Sequence, residues 1–210
     1  VLAMVLDHHR LFRRYREQQG RAAWERHFHQ DPGDFHVGIL GLGVLGQEVA
    51  KLLRAVGYRV SGWSRRQKTI DGVNTLSGED GFAALVKSSN ILVCLLPLTD
   101  ATRGILNAAV FADMPEGALV INAARGGHLV VPDLLAALDT GMLSGAVLDV
   151  FEDEPLPAEN SLWCHPSITI TPHVASFSNP VTGVRQIVRA LDRIAAGEAP
   201  DHQVNLEAGY

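Results

Sequence analysis

Cysteine is scarce in this chain, which contains only Cys94 and Cys164 among its 210 residues. Cys94 lies within the apolar run of residues 91–96, and Cys164 lies in a predicted loop close to Pro166. Two isolated cysteines exclude a disulfide framework, and neither has the spacing of a metal-binding motif. The histidines show no metal pattern either, so we expect no bound metal. This cysteine usage is typical of a reducing, cytoplasmic location.

Long apolar runs and an excess of positive charge are also missing. No run approaches the roughly 18 residues of a membrane span, and the formal net charge of -5 gives no attraction to nucleic acid or to an anionic membrane. The apolar residues 1–6 have no basic flank and no cleavage pattern, so they do not predict a signal peptide. Because the chain starts at Val1 rather than at methionine, we expect it to begin partway through a longer protein.

Short apolar runs alternate with helical patterns along most of the chain, whose hydrophobic content is 47%. The apolar runs predict strands at residues 35–40, 58–63, 91–96, 118–123, 144–150 and 168–170. Helical spacing predicts helices at residues 47–56, 81–88, 131–138 and 181–196. This alternation is typical of an α/β fold, in which helices cover both faces of a parallel sheet.

The first 30 residues form a separate segment with apolar residues at roughly helical spacing and a break at Gly20. They predict an N-terminal helical arm, which residues 31–34 link to the rest of the chain. The apolar stripe of the arm needs a partner. That partner is either a neighbouring subunit or the arm's own domain.

A glycine-rich turn, Gly-Leu-Gly-Val-Leu-Gly at residues 41–46, follows the first predicted strand and opens a helix. Gly41 permits the tight turn, Gly43 lets a pyrophosphate approach the backbone, and Gly46 lets the helix pack closely on the strand. The helix N-terminus then presents free N–H groups to the phosphates. In this context the turn predicts a Rossmann-type doubly wound sheet that binds a nicotinamide dinucleotide.

The residues after the second predicted strand indicate which dinucleotide binds. A site for NAD usually has a carboxylate here, whereas this chain has Ser64, Arg65 and Arg66, and its nearest carboxylate is Asp71. Guanidinium groups bind a 2′-phosphate through charge-assisted hydrogen bonds. We therefore predict NADP, with NAD as the alternative if the two arginines are only surface charges.

Other candidate cofactor contacts come from the helix start and from later strand ends, because ligands bind beyond the carboxyl ends of such strands. Pro97 ends the third strand, so its loop can lie against the cofactor, and Thr102 can supply a hydroxyl. Asp149 ends a later strand and can meet the nicotinamide side. These further candidates are Val44, Leu45, Leu96, Pro97, Thr102, Ala123 and Asp149.

Three titratable or charged side chains, those of Arg125, Glu154 and His173, follow successive apolar strands after the glycine turn. An arginine can hold the carboxylate of a 2-keto acid close to its carbonyl oxygen. A histidine can give that oxygen a proton on reduction and take it back in the reverse reaction. A glutamate can orient the imidazole and stabilise its charged form. The three predict the catalytic residues of a keto-acid reductase.

Each of the three also has a structural interpretation. Arg125 can form a surface salt bridge, Glu154 can belong to a solvated acidic loop, and His173 can be a turn residue after Pro172. A different class of function is a non-catalytic dinucleotide sensor or corepressor, since fold does not determine function. Because a sensor has no need of a proton donor, the ordered set favours an enzyme.

These motifs resemble those of the D-isomer-specific 2-hydroxyacid dehydrogenases, most closely the glyoxylate/hydroxypyruvate reductase A branch. The resemblance covers the whole chain and is carried by residues 37–46, 63–65, 133–139, 149–151 and 171–175. It implies that Arg125, Glu154 and His173 are catalytic and that NADPH reduces glyoxylate or hydroxypyruvate. It also implies a homodimer in which the arm forms part of the subunit contact. Another D-2-hydroxyacid dehydrogenase is the alternative within the family.

Two departures from the family pattern lead to further expectations. Gly127 replaces a larger side chain, so we expect a looser turn after Arg125. The smaller substrate-binding lobe that begins family members has no counterpart here. We therefore expect a cofactor-domain fragment that binds NADP and turns over poorly. Its predicted parts are the arm at residues 1–30, the dinucleotide-binding domain at 35–175, and a C-terminal helix and tail at 176–210 that returns toward the missing lobe.

Overall fold

A computed structural model describes residues 1–176 and 180–201 of the chain. The chain divides into two compact units, Val1–Pro172 and His173–Tyr210. Of the predicted C-terminal segment, residues 177–179 and 202–210 lie outside the described residues.

The first unit is built on one parallel sheet with the strand order β3-β2-β1-β4-β5-β6-β7. The strands are β1 His36–Leu40, β2 Arg59–Trp63, β3 Asn74–Leu76, β4 Ile91–Cys94, β5 Ala118–Asn122, β6 Leu143–Leu148 and β7 Ile168–Ile170. The strand order reverses between β1 and β4, and in doubly wound sheets a ligand crevice opens at this point. The predicted Rossmann-type fold is therefore confirmed.

Among the described residues, six α-helices belong to the first unit and one to the second. They are α1 Leu2–His9, α2 Phe12–Gly20, α3 Val44–Val56, α4 Gly78–Ser88, α5 Ala108–Asp113 and α6 Val131–Asp139, followed by α7 Pro180–Ala195 in the second unit. Within the second unit, α7 has an exposed apolar stripe. The described residues contain no helix that combines the length and the hydropathy needed to cross a membrane.

Two hydrophobic clusters, one on each face of the sheet, hold the first unit together. Successive strand residues point to opposite faces, so Ile39 of β1 joins one cluster and Leu40 joins the other. The cluster around Leu40 includes side chains of α4, α5 and α6, whereas the cluster around Ile39 includes α1 and α3. All residues of β1, β4 and β5 are buried, which explains why these strands read as near-continuous apolar runs.

Three features of the fold differ from the sequence prediction. The strand β3 and the helix α5 were not predicted, although Asn107 caps α5 through hydrogen bonds from the N–H groups of Ala109 and Val110. The helical prediction for the arm holds only to Gly20, and residues 21–31 have no regular secondary structure. Helix α1 packs on its own unit, where Val5 is fully buried. Three large aromatic residues of the arm are exposed, Phe12, Trp24 and Phe28, whereas Tyr15 is partly buried.

Candidate active site and cofactor site

In the glycine-rich turn between β1 and α3, two of the glycines lie where no side chain would fit. Gly41 has a φ of +102°, and a Cβ there would lie 2.7 Å from the backbone oxygen of Leu95. A Cβ on Gly46 would lie 1.9 Å from the backbone oxygen of Gly41. These contacts hold α3 close to the strand end and make glycine necessary at both positions.

Gly43 differs from the other two glycines because the space beside it is open. A Cβ at this position would meet no protein atom within 4 Å. Gly43 is the N-cap of α3 and provides no side-chain cap, and the first turn of the helix contains no acidic residue. The first N–H groups of the helix therefore face this open space with the positive end of the helix dipole. The turn fits the pyrophosphate of a dinucleotide, as the sequence predicts.

The candidates Val44 and Leu45 form the first turn of α3, with exposed fractions of 68% and 55%. Such exposed apolar side chains beside a phosphate-binding turn offer a surface on which a nucleotide can pack. Because Gly43 leaves their backbone N–H groups accessible, these two residues can contact a cofactor through backbone and side chain together.

The loop after β2 is ordered by its own hydrogen bonds. Ser64 is buried, and its hydroxyl donates to the backbone oxygen of Arg66 at 2.7 Å. Arg65 and Arg66 have exposed side chains. Lys68 donates from Nζ to the backbone oxygen of Leu42 at 2.7 Å, so its ammonium group lies at the glycine-rich turn. Three cationic residues therefore belong to this short loop.

Lys68 was not among the candidates from the sequence, although the sequence contains a signal for it. The run Arg-Arg-Gln-Lys at residues 65–68 has a third positive charge shortly after the two predicted arginines. What the sequence could not show is the contact with Leu42, since 26 positions separate the two residues.

The loop after β4 contains Leu96, Pro97 and Thr102. Leu96 is buried with an exposed fraction of 8%. The Thr102 hydroxyl donates to the backbone oxygen of Pro97 at 2.7 Å and accepts from the N–H of Thr99 at 2.9 Å. This hydroxyl therefore orders the loop that the sequence predicts to lie beside the cofactor.

Burial raises the pKa of the neighbouring Cys94 thiol to about 12, so the thiol stays protonated at neutral pH.

Arg125 follows β5 in a turn whose backbone is held firmly. Its backbone oxygen accepts from Asn122 Nδ2 at 3.0 Å and from His128 at two atoms, the backbone N–H at 3.2 Å and Nδ1 at 3.0 Å. The side chain of Arg125 is exposed and donates to the backbone oxygen of Ala124. The candidate Ala123 donates its N–H to the backbone oxygen of Cys94 at 3.3 Å, at the neighbouring strand end.

Gly126 brings the Arg125 turn directly against the loop that follows β6. A Cβ on Gly126 would lie 2.0 Å from the backbone carbon of Phe151, so only glycine fits. In the facing loop, Glu154 Oε1 accepts from the N–H of Phe151 at 2.8 Å. The ends of β5 and β6 therefore place the Arg125 turn and the Glu154 loop against each other.

The turn at Gly127 is regular. Residues Gly126–His128 form a 3-10 helix, and the backbone oxygen of Gly127 accepts from the N–H of Gly104 at 2.9 Å. A Cβ on Gly127 would lie 2.9 Å from Arg103 Nη1, and Arg103 forms an ion pair with Glu152 at 3.6 Å. The expectation of a looser turn was wrong, because the space left by the absent side chain is taken up by Arg103.

Asp149 and His173 follow the last two strands. Asp149 is buried and accepts from the Thr171 hydroxyl at 2.5 Å, which joins the end of β6 to the end of β7. His173 is exposed, has a φ of +54°, and is the first residue of the second unit. Arg125 and Glu154 lie in the first unit, so the convergence of all three predicted catalytic side chains stays a prediction.

Side chains that commonly bind metal ions are scattered along the described part of the chain. In residues 1–176 and 180–201, no group of three or more His, Cys, Asp or Glu side chains is arranged to hold a metal ion.

Comparison with known proteins identifies the family. The family model described as D-isomer specific 2-hydroxyacid dehydrogenase, NAD binding domain, matches residues 2–175. The chain is similar to a solved NADPH-dependent glyoxylate/hydroxypyruvate reductase from Sinorhizobium meliloti in complex with NADP and sulfate. The two are 40% identical with a TM-score of 0.96, over 100% of this chain and 67% of that one.

The chain is also similar to two further solved structures of this family. A D-isomer specific 2-hydroxyacid dehydrogenase family protein from Klebsiella pneumoniae 342 is 45% identical with a TM-score of 0.92, over 97% of this chain and 66% of that one. A D-isomer specific 2-hydroxyacid dehydrogenase from Xanthobacter autotrophicus Py2, in complex with NADPH and MES, is 40% identical with a TM-score of 0.96, over 100% of this chain and 86% of that one. This chain thus spans about two thirds of the length of the first two relatives. The chain belongs to the D-isomer-specific 2-hydroxyacid dehydrogenase family and contains its NAD-binding domain.

Proposed function

We propose that the protein is an NADPH-dependent reductase of a small 2-keto acid, glyoxylate or hydroxypyruvate, which it converts to the 2-hydroxy acid. The observation that carries this proposal is the packing of the Arg125 turn against the Glu154 loop in the unit that also contains the dinucleotide turn. The similar enzyme from Sinorhizobium meliloti is named for the same reaction class and the same cofactor.

In this proposal Arg125 binds the substrate. A guanidinium stays charged at any physiological pH and matches a carboxylate with two parallel hydrogen bonds. The same group, close to the carbonyl oxygen, stabilises the negative charge that grows there during reduction. The carbonyl of Arg125 is held by three hydrogen bonds, so the exposed side chain extends from a rigid base.

In this proposal His173 donates the proton, and Glu154 orients the His173 ring. NADPH, when bound at the glycine-rich turn, would be the source of the hydride for the carbonyl carbon. The His173 imidazole donates the proton that the carbonyl oxygen needs. The role proposed for Glu154 is to orient the His173 imidazole and to stabilise its charged form during proton transfer. Thr171 is bonded to Asp149 and to the backbone oxygen of Leu148, so the chain leading to His173 is anchored at the carboxyl edge of the sheet.

The cationic loop after β2 supports NADP over NAD. Arg65 and Arg66 are exposed, the buried Ser64 hydroxyl orders their loop, and the Lys68 ammonium lies beside the glycine-rich turn. A 2′-phosphate gains charge-assisted hydrogen bonds from such groups. Similar proteins were crystallised with NADP or NADPH.

Removing both arginines is expected to abolish the preference between the two cofactors. In the double variant Arg65→Ser and Arg66→Ser, NADPH binding is expected to weaken about 10- to 100-fold, since hydrogen bonds to charged groups contribute about 1.5–3 kcal/mol. NADH binding is expected to change less than about twofold, because NADH has no 2′-phosphate. Titration of the 210-residue chain with each cofactor measures both affinities.

The matched control is Arg59→Ser, which removes an exposed arginine at the opposite end of β2. It is expected to leave both affinities unchanged. Equal weakening of NADPH and NADH binding in the double variant would show that the arginines do not recognise the 2′-phosphate.

The function is tested by assaying the full-length natural protein with glyoxylate, hydroxypyruvate and pyruvate, each with NADPH and with NADH. We expect oxidation of NADPH with glyoxylate or hydroxypyruvate to exceed that with pyruvate. Preference for another 2-keto acid would assign the protein to a different D-2-hydroxyacid dehydrogenase activity. Tight NADPH binding without turnover of any of the three would favour the dinucleotide sensor.

We also propose that the protein acts as a cytoplasmic homodimer. The arm exposes Phe12, Trp24 and Phe28, with exposed fractions of 51%, 93% and 90%. Large exposed aromatic side chains that lie close together in sequence are typical of a protein–protein contact. Cys94 and Cys164 are both free thiols, which supports a reducing compartment.

A further inference from the structure

His128 is a fully buried histidine in the turn after Arg125, with an exposed fraction of 0%. Its Nδ1 lies 3.0 Å from the backbone oxygen of Arg125, and its Nε2 lies 3.3 Å from the backbone oxygen of Pro97. Its own backbone oxygen accepts from the N–H of Leu106 at 2.9 Å. The ring therefore bridges the Arg125 turn and the loop after β4, and neither the family match nor the proposed mechanism uses it.

The two ring contacts are not equivalent. A neutral imidazole donates through one nitrogen only, and the contact with Arg125 is the shorter. We therefore assign the hydrogen bond of a neutral ring to the shorter contact, in which Nδ1 donates to the Arg125 oxygen.

We propose that His128 is a positioning residue, which holds the Arg125 backbone so that the guanidinium meets the substrate carboxylate. This inference rests on the proposed role of Arg125 in substrate binding. The argument is geometric: a long side chain keeps its direction only if its backbone is fixed. The backbone oxygen of Arg125 is bound both by Asn122 Nδ2 and by His128 Nδ1.

The alternative role for a buried histidine is packing alone, and His36 provides a matched example. His36 is buried at the start of β1, where Nδ1 contacts the backbone oxygen of Ser88 at 2.7 Å and Nε2 contacts the Ser61 hydroxyl at 2.8 Å. It makes the same kind of bridge as His128, but at the amino end of the strand, away from the carboxyl edge where Arg125 lies.

The test uses three substitutions of His128 in the full-length natural protein. In His128→Asn the side-chain amide takes the place of Nδ1 and keeps the bond to Arg125, whereas in His128→Gln it takes the place of Nε2 and loses that bond. In His128→Phe both bonds are lost. The kcat/KM for the keto acid is expected to fall about 10- to 100-fold in the Phe and Gln variants, since small misplacements cost this much. The Asn variant is expected to retain a value within about threefold of wild type.

A second readout does not require turnover. Oxalate, a carboxylate with no reducible carbonyl, is titrated into the NADPH-bound protein. Its affinity is expected to fall with kcat/KM in the Phe and Gln variants and to persist in the Asn variant. The NADPH affinity is expected to stay within about twofold throughout. If the Phe variant does not fold, the contrast between the Asn and Gln variants alone decides the question.

The outcomes separate this inference from the proposed function. If the wild-type protein reduces no 2-keto acid, the proposed function fails before any variant is compared. If the wild type is active and the three variants lose activity equally, or if they lose only thermal stability as expected for His36→Phe, the positioning role of His128 is overturned. Rescue by asparagine but not by glutamine supports it.

Discussion

Replacing His173 by alanine is expected to lower the turnover of a 2-keto acid by about 10²- to 10⁴-fold, the usual contribution of a general acid or base. The affinity for NADPH is expected to stay unchanged, because the proposed cofactor contacts of the glycine-rich turn and the loop after β2 do not involve this side chain. Steady-state kinetics of the full-length protein measure the loss, and NADPH titration measures the affinity.

His165→Ala is the control for this substitution. His165 lies nearby in the sequence, where its Nε2 is 3.5 Å from Asp139 and its Nδ1 accepts from the N–H of Ser167. The substitution removes an imidazole that has no role in the proposed mechanism, so turnover is expected to stay at the wild-type level. If His173→Ala retains wild-type turnover, His173 is not the proton donor and the proposed mechanism is wrong.

Replacing Gly43 by alanine is expected to weaken NADPH binding at least about tenfold, a loss of about 1.4 kcal/mol, without destabilising the fold. Its φ of -70° and ψ of -167° are open to alanine, and the added methyl group meets no protein atom within 4 Å. The methyl group instead fills the space that the pyrophosphate needs. Thermal unfolding and NADPH titration of the 210-residue chain measure the two properties separately.

Substitutions of two other glycines serve as controls for Gly43→Ala. Gly46→Ala places a Cβ 1.9 Å from the backbone oxygen of Gly41, so it is expected to lower the free energy of unfolding by about 1–3 kcal/mol as well as to impair binding. Gly20→Ala adds a methyl group in open space at the end of α2 and is expected to change neither property. Wild-type NADPH affinity in the Gly43→Ala variant would place the pyrophosphate elsewhere.

The parallel sheet was predictable largely because its strands β1, β4 and β5 are buried on both faces. The prediction for β7 coincides with the structure, and those for β1, β2 and β5 are one residue longer than the strands observed. A strand buried on both faces is apolar at nearly every position, with His36 and Asn122 as polar exceptions at strand ends, so its signal is local and strong. Gly57, which ends α3 with a φ of +103°, is a similar local signal.

Two of the departures from the prediction, the strand β3 and the non-helical end of the arm, depend on neighbours rather than on their own residues. The strand β3 has three residues, none of them fully buried, and it forms at the sheet edge because β2 lies beside it. The arm beyond Gly20 has apolar residues at helical spacing but folds back, and the Tyr15 hydroxyl accepts from the N–H of His27. Periodicity cannot register such a contact, because it joins residues that are distant along the chain.

In the candidate site too, some features were predictable from the sequence and others became visible only in the tertiary structure. By itself the sequence determined the α/β class, the dinucleotide turn and the types of side chain available for chemistry, because each depends on local pattern or residue identity. Only the tertiary structure decided that Gly126 presses the Arg125 turn against the Phe151 backbone, that Lys68 reaches Leu42, and that His128 binds the Arg125 carbonyl. These contacts exist because the parallel strands bring distant loops to one edge of the sheet, which no local pattern records.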